Sequence, residues 1–232
     1  MPFPNDRKDE SMTFKGVVFD FNGTMFFDSH YHNAAWKKIS MELRGSEMSD
    51  DELAHHMHGK NNARIIDYLT DGKLTKEENA KWSLKKEAMY RKMCLAQPDT
   101  FHLAPGVEDF LQRLCEKHIP FTIASASIKE NIDFFVEQFH LATWLDPNLI
   151  VFDDGTYPDK VTMFQEAAHR IHVDMKDCLV FEDSISGITF AHEAQAGGII
   201  AIQAQNTNQY EQFPYILDVY PDFTKIPLSL FE

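Results

Sequence analysis

From about residue 104 to the end of the chain, short apolar runs alternate with segments that repeat their apolar residues every three or four positions. A short run bounded by turn residues reads as a buried strand, and the three-and-four spacing reads as one face of an amphipathic helix. Strands that are apolar throughout need cover on both faces, and the alternating helices supply it. The pattern therefore demands an α/β domain with a doubly wound, Rossmann-like parallel sheet. Strands are expected at Phe14 to Asp20, Pro120 to Ala124, Leu149 to Phe152, Cys178 to Phe181 and Gly198 to Ile202. Helices are expected at Val107 to Lys117, Lys129 to Phe139, Val161 to Ile171 and Ile185 to Ala194.

A stretch with no strand pattern separates the first strand from the rest. Helical spacing recurs there in Tyr31 to Leu43, Asp51 to Met57, Ala63 to Leu69 and Lys76 to Leu95. Residues 28–102 are accordingly expected to form an inserted all-helical cap, with 14–27 and 103–232 as the core and 1–13 as a flexible tail. Phe26 to Asp28 leads into the insert and Leu103-Ala104-Pro105-Gly106 leads out, each a candidate hinge.

Composition limits the partners. Asp plus Glu number 36 against 22 Lys plus Arg, a formal charge of -14, and a field of that sign disfavours nucleic acid. Small anions stay admissible, because one local pocket can oppose the global field. Cys94, Cys115 and Cys178 show no CxxC or Cys/His spacing, which points to reduced thiols of a cytoplasmic protein and against a disulfide framework or a zinc site. No stretch approaches the ~20 apolar residues of a bilayer span, so no membrane partner is expected. The many Phe and Met residues read as core and gap filling, and Phe26-Phe27 as a flap packed beside the site.

In an open α/β sheet, ligands bind beyond the carboxyl ends of the strands. Those ends here carry Asp20-Phe21-Asn22-Gly23-Thr24, Ser125-Ala126-Ser127, Lys160 and Glu182-Asp183-Ser184. Each is ordinary alone: Asn-Gly after a strand makes a turn, a Ser at a strand end caps a helix, a lone Lys is solvated, and Glu-Asp-Ser decorates a helix N-terminus. Their order is not ordinary. VVFDFNGT, IASAS and LVFEDSISGI together resemble the motifs of the haloacid dehalogenase-like hydrolases over nearly the whole chain. The chain is similar to the branch of β-phosphoglucomutase and small sugar-phosphate phosphatases, which carries a helical cap.

The resemblance implies a Mg²⁺-dependent phosphatase or phosphoglucomutase-like transferase, monomeric or weakly dimeric, acting on a small phosphorylated metabolite such as a sugar phosphate. Asp20 would attack phosphorus and form an aspartyl-phosphate, splitting one hard step into two. Asp20, Asp183 and the main-chain oxygen of Asn22 would hold Mg²⁺, with Glu182 reaching it through water. Thr24, Ser125 and Ala126 would bind the transferring phosphoryl group, and Lys160 would add a point charge that keeps Asp20 ionised. In the insert, His55, His56, His58, Lys60, Asn61 and Asn62 surround Gly59, where related caps place a substrate-selecting loop; His58, Lys60 and Asn61 are its expected substrate contacts. A transition-metal site is not expected, because His55, His56 and His58 cannot all face one point of a helix.

Two departures from the family pattern matter. The general acid/base Asp expected two residues after the nucleophile is Asn22, and an amide neither donates nor accepts a proton in catalysis. The segment YPDKVTMF also lacks the usual Pro-x-Pro after its Lys, so Lys160 fits only with a shorter loop, and Lys129 is the next candidate. Asn22 leaves two alternatives open: phosphonate C–P cleavage through a Schiff base on Lys60, as in phosphonoacetaldehyde hydrolases, or a weakly active or non-catalytic phospho-ligand binder. Dehalogenation fits less well, since Glu182-Asp183 signals a cation site that such chemistry does not need.

Overall fold

A computed structural model of the chain describes residues 13–57, 61–202, 210 and 212–231. It divides into two compact units, residues 28–102 on one hand and the flanking segments up to 27 and from 103 on the other.

The larger unit is built on β1 (Gly16–Phe19), β2 (Phe121–Ile128), β3 (Val151–Asp153), β4 (Cys178–Glu182), β5 (Gly198–Ile202) and β6 (Asp218–Tyr220). All pair in parallel, in the order β3-β2-β1-β4-β5-β6. Successive side chains of a strand face opposite sides, and β1 shows how both sides are filled. Val18 joins Ala124, Val151 and Val180 beneath Phe164 and Ala167 of α7 (Lys160–Arg170) and Ile188 and Ala191 of α8 (Ile185–Glu193). Phe19 points the other way, stacking on Phe181 at 5.2 Å and meeting Phe110 of α5 (Val107–Glu116) edge-on at 6.2 Å. Helices thus lie on both faces, as a doubly wound sheet requires.

Three strand expectations shift. Asp20 lies just beyond β1 instead of within it, β2 runs on through the Ser125-Ala126-Ser127 motif to Ile128, and Leu149 belongs to a 3₁₀ turn ahead of β3. The edge strand β6 is unforeseen: three residues beginning with the exposed Asp218 give no apolar run to detect.

Residues 28–102 form α1 (Ser29–Arg44), α2 (Asp50–Glu52), α3 (Asn62–Thr70) and α4 (Lys76–Leu95), packed around Trp36, Ile39, Leu53, Ile66 and Leu69. The expected helix over Asp51 to Met57 is divided: a Ser49–Glu52 capping box opens α2, and Leu53–Met57 continues as a π-helical turn. A second capping box, Thr75–Glu78, starts α4. No helix among the described residues is long and apolar enough to cross a membrane.

Candidate active site

The site lies where the sheet order reverses about β1, and it is assembled from the carboxyl ends of β1, β2 and β4 with the first residue of α7. Beyond Phe19 the chain turns at Asn22-Gly23. Gly23 has φ 85°, and a Cβ there would lie 2.2 Å from Asp183 Oδ2, so only glycine lets the β1 loop approach the β4 loop this closely. The loop is pinned by Phe21, which stacks on Phe135 of α6 (Lys129–Gln138) at 4.5 Å, and by the N–H groups of Met25 and Phe26, which both donate to the Phe21 carbonyl. Phe26 is buried, as a packed flap requires.

Asp20 and Glu182 are buried and share one cation. Lys160 Nζ donates to Asp20 Oδ1 at 2.6 Å and to Glu182 Oε1. Lys160 owes its place to Asp159, which caps α7 by accepting from Thr162 N–H at 2.9 Å and so sets the first turn at the site. The second oxygen of Glu182 accepts from Ser184 N–H at 2.8 Å and Ser184 Oγ at 3.0 Å. Ser184 also caps α8, receiving Gly187 N–H at 3.0 Å. Thr24, fully buried, bridges Asp20 Oδ2 at 3.0 Å and Asp183 Oδ1 at 3.2 Å. The Tyr210 hydroxyl donates to the Asp183 main-chain carbonyl.

On β2, Ser127 Oγ donates to Asn22 Oδ1 at 2.7 Å and Ser125 Oγ does so at 3.3 Å, while Ser127 N–H donates to Ser125 Oγ at 3.2 Å. Residues two apart share a strand face, which is why both hydroxyls reach the same amide.

Electrostatically the site is short of positive charge. Burial pushes the Asp20 carboxyl up to about 7 against the pull of Lys160. Burial, reinforced by Glu182 and Asp20, pushes Asp183 well above the carboxylate range. Burial opposes the Lys160 ammonium, yet Asp20 and Glu182 together hold it above the ordinary lysine value. Oxygens of Asp20, Glu182 and Asp183 lie within 4.8 Å of one another. Three clustered carboxylates facing one ammonium, all hard oxygen donors, fit a hard divalent cation.

The structure thus gathers Asp20, Asn22, Thr24, Ser125, Lys160, Glu182 and Asp183. Ala126 is exposed on the same strand end. Lys129 does not join them: it is exposed and ion-paired with Asp133 at 2.6 Å. In the insert, Asn61 caps α3 by accepting from Arg64 N–H at 3.0 Å, Asn62 donates to Glu87 at 2.6 Å, and His56 stacks on Tyr68 at 3.9 Å. His58, Gly59 and Lys60 lie outside the described residues. The sequence assigned no role to Ser127, Ser184, Gly187 or Tyr210. A Ser immediately before a helix is a recognisable cap, but the demand for glycine at 187 arises only from the Glu182 side chain against it.

The family model of haloacid dehalogenase-like hydrolases matches residues 14–195. The chain belongs to the haloacid dehalogenase-like hydrolases. Among relatives, β-phosphoglucomutase of Bacillus subtilis is 27% identical over 187 residues, spanning 75% of this chain and 77% of that protein. Among solved structures, a HAD hydrolase of family IA, variant 3, from Entamoeba histolytica matches with a TM-score of 0.87 at 31% identity, over 94% of this chain and 97% of that one. A mutant of CbbY from Rhodobacter sphaeroides in complex with xylulose-(1,5)bisphosphate matches with a TM-score of 0.78 over 95% and 100% of the two chains. Its 16% identity supports the shared fold alone. The haloacid dehalogenase-like assignment rests on the family match.

Proposed function

We propose that this protein is a Mg²⁺-dependent phosphotransferase of the phosphatase or phosphomutase type, acting in the cytoplasm as a monomer or weak dimer. It would take a phosphoryl group from a small phosphorylated metabolite onto Asp20 and pass it to water or a second oxygen. The observation that carries this reading is the pairing of Asp20 with Lys160 at 2.6 Å inside a cluster of three carboxylates. One oxygen of Asp20 is held by the ammonium and the other by the Thr24 hydroxyl, which fixes the carboxylate as a nucleophile must be fixed. Asp20, Asp183 and the Asn22 main-chain oxygen would hold Mg²⁺, with Glu182 an outer partner reaching it through water. When bound, the cation would neutralise phosphoryl oxygens as the carboxylate approaches. Ser125, Ala126 N–H and Thr24 would receive the phosphoryl group, and His58, Lys60 and Asn61 of the insert would select the metabolite. That β-phosphoglucomutase is a relative and CbbY binds a sugar bisphosphate makes sugar phosphates the first class to test.

A screen of phosphate esters with and without Mg²⁺ tests this. Turnover should need Mg²⁺ and vanish in Asp20→Ala; turnover that survives Asp20→Ala would refute it. The tethered amide of Asn22 favours a second reading, a phospho-ligand binder with little turnover, which calorimetry would reveal as Mg²⁺-dependent binding of a sugar phosphate released unchanged. Phosphonate cleavage would instead require a borohydride-trapped adduct of phosphonoacetaldehyde on Lys60.

A further inference from the structure

Asn22 bears on which phosphoryl donors this site can use. Its side-chain carbonyl is taken by Ser127 and Ser125, so the amide is oriented, and its NH₂ end offers hydrogens that it cannot release. The groups around Asp20 are committed elsewhere. Glu182 faces Lys160 with one oxygen and Ser184 with the other, and Asp183 faces Thr24. The cluster gathered with Asp20 contains no imidazole among the described residues. Among its described residues the core therefore supplies groups that hold the nucleophile and a cation, and none placed to hand a proton to a departing oxygen.

We infer that this site is served by activated phosphoryl donors, acyl phosphates first and aryl phosphates next, and that the phosphorylated Asp20 they produce persists. The inference rests on Asp20 being the nucleophile. In the first step an Asp20 oxygen attacks phosphorus, and the bond from phosphorus to the acyl oxygen breaks with its electron pair leaving on the carboxylate. A carboxylic acid has an acidity near 4 and a phenol near 10, so the first leaves unprotonated with ease and the second with moderate ease (both roughly). A sugar or alkyl alcohol, with an acidity near that of water at about 16, does not. In the second step water attacks phosphorus, the bond to Asp20 breaks with its pair returning to the carboxylate, and a proton passes to solvent. Without a base at position 22 this step is slowed by roughly 10² to 10⁴, and the phosphoenzyme accumulates.

The full-length protein with Mg²⁺ is mixed with acetyl phosphate, with a series of substituted phenyl phosphates, and with ethyl phosphate, and is followed by intact mass and phosphate release. Acetyl phosphate should add one phosphoryl group per chain, absent in Asp20→Ala, ahead of slow turnover. Rates across the phenyl series should fall steeply as the phenol becomes less acidic. Asn22→Asp should flatten that dependence, shorten the life of the phosphoenzyme and raise ethyl phosphate hydrolysis by roughly 10² to 10⁴. A flat dependence in the parent protein, with ethyl phosphate as good a donor as the phenyl series, overturns the inference while leaving Asp20 as nucleophile; this measurement needs no variant to fold. If no donor phosphorylates the chain and Asp20→Ala changes nothing, the proposed function itself falls.

Discussion

Replacing Gly187 by Ala should disable the site from a position that carries no chemistry. An alanine Cβ would lie 1.7 Å from Glu182 Oε1 and 2.1 Å from its carboxyl carbon, whereas a carbon and an oxygen need about 3.3 Å. One of them must yield by more than an ångström. Glu182 cannot do so freely, because it is fully buried, with Lys160 on one oxygen and two donors of Ser184 on the other. Disrupting a buried charge pair costs about 3–5 kcal/mol, and replacing a helical Gly by Ala returns at most about 1 kcal/mol, so the net loss should be about 2–4 kcal/mol. Urea unfolding monitored with and without Mg²⁺ gives the stability, and Mg²⁺-dependent phosphate release gives the activity; both should drop. The cause is isolated by a cycle with Glu182→Ala: once the carboxylate is gone, Gly187→Ala should be neutral or stabilising. A Gly187→Ala protein as stable and as active as its parent would refute the reasoning.

Lys160→Gln removes the ammonium shared by Asp20 and Glu182 and should lower phosphate release by roughly 10² or more. Lys129→Ala breaks only an exposed pair, its side chain 63% exposed, and should change stability by less than about 0.5 kcal/mol and turnover not at all; the opposite ranking would reassign the lysine. The pH dependence follows from Asp20, whose carboxyl rises in the folded state from 3.8 to about 7, and from Asp183, which rises as well. A raised folded value means that the contribution to stability is complete below the unfolded value and is lost as pH climbs through the folded one. The metal-free protein should therefore be penalised as these carboxyls ionise, and the increase in Tm produced by Mg²⁺ should grow from about pH 5 to about pH 8. A Mg²⁺ effect on Tm that is constant over that interval would count against the cluster as the cation site.

Much of the core could be read from the sequence because its strands are pure in pattern. Val17, Val18 and Phe19 are all buried, and a short β-branched and aromatic run that stops at Asn22-Gly23 reads as a strand covered on both faces. In the insert helical spacing alone placed the start of the long helix at Lys76, and the Thr75–Glu78 capping box is the physical reason it begins there. Pattern failed where a few residues carry the structure, as in β6, or where a strand continues through small polar residues, as β2 does past Ala124. That second failure hid Ser127, since ending the strand early removes the two-residue register that puts Ser125 and Ser127 on one face. Lys160 and Lys129 could not be separated by sequence because each begins a helix after a strand; what separates them is that one side chain turns onto Asp20 and the other onto Asp133.

The charge balance of the site links the composition to the chemistry. A chain with a formal charge of -14 repels small anions at long range, and its strand ends do not reverse that field: with all three carboxyls ionised, the cluster would exceed the single Lys160 ammonium by two negative charges. A phosphoryl dianion brought to Asp20 would meet like charge in a buried, weakly screened place, where repulsion is strongest. A bound divalent cation would bring that cluster to neutrality. Cation and phosphorylated ligand must then favour each other's binding by the same factor, since each relieves the charge that opposes the other. On this argument the acidity of the protein is no obstacle to an anionic substrate, because the cation decides the sign that the substrate meets.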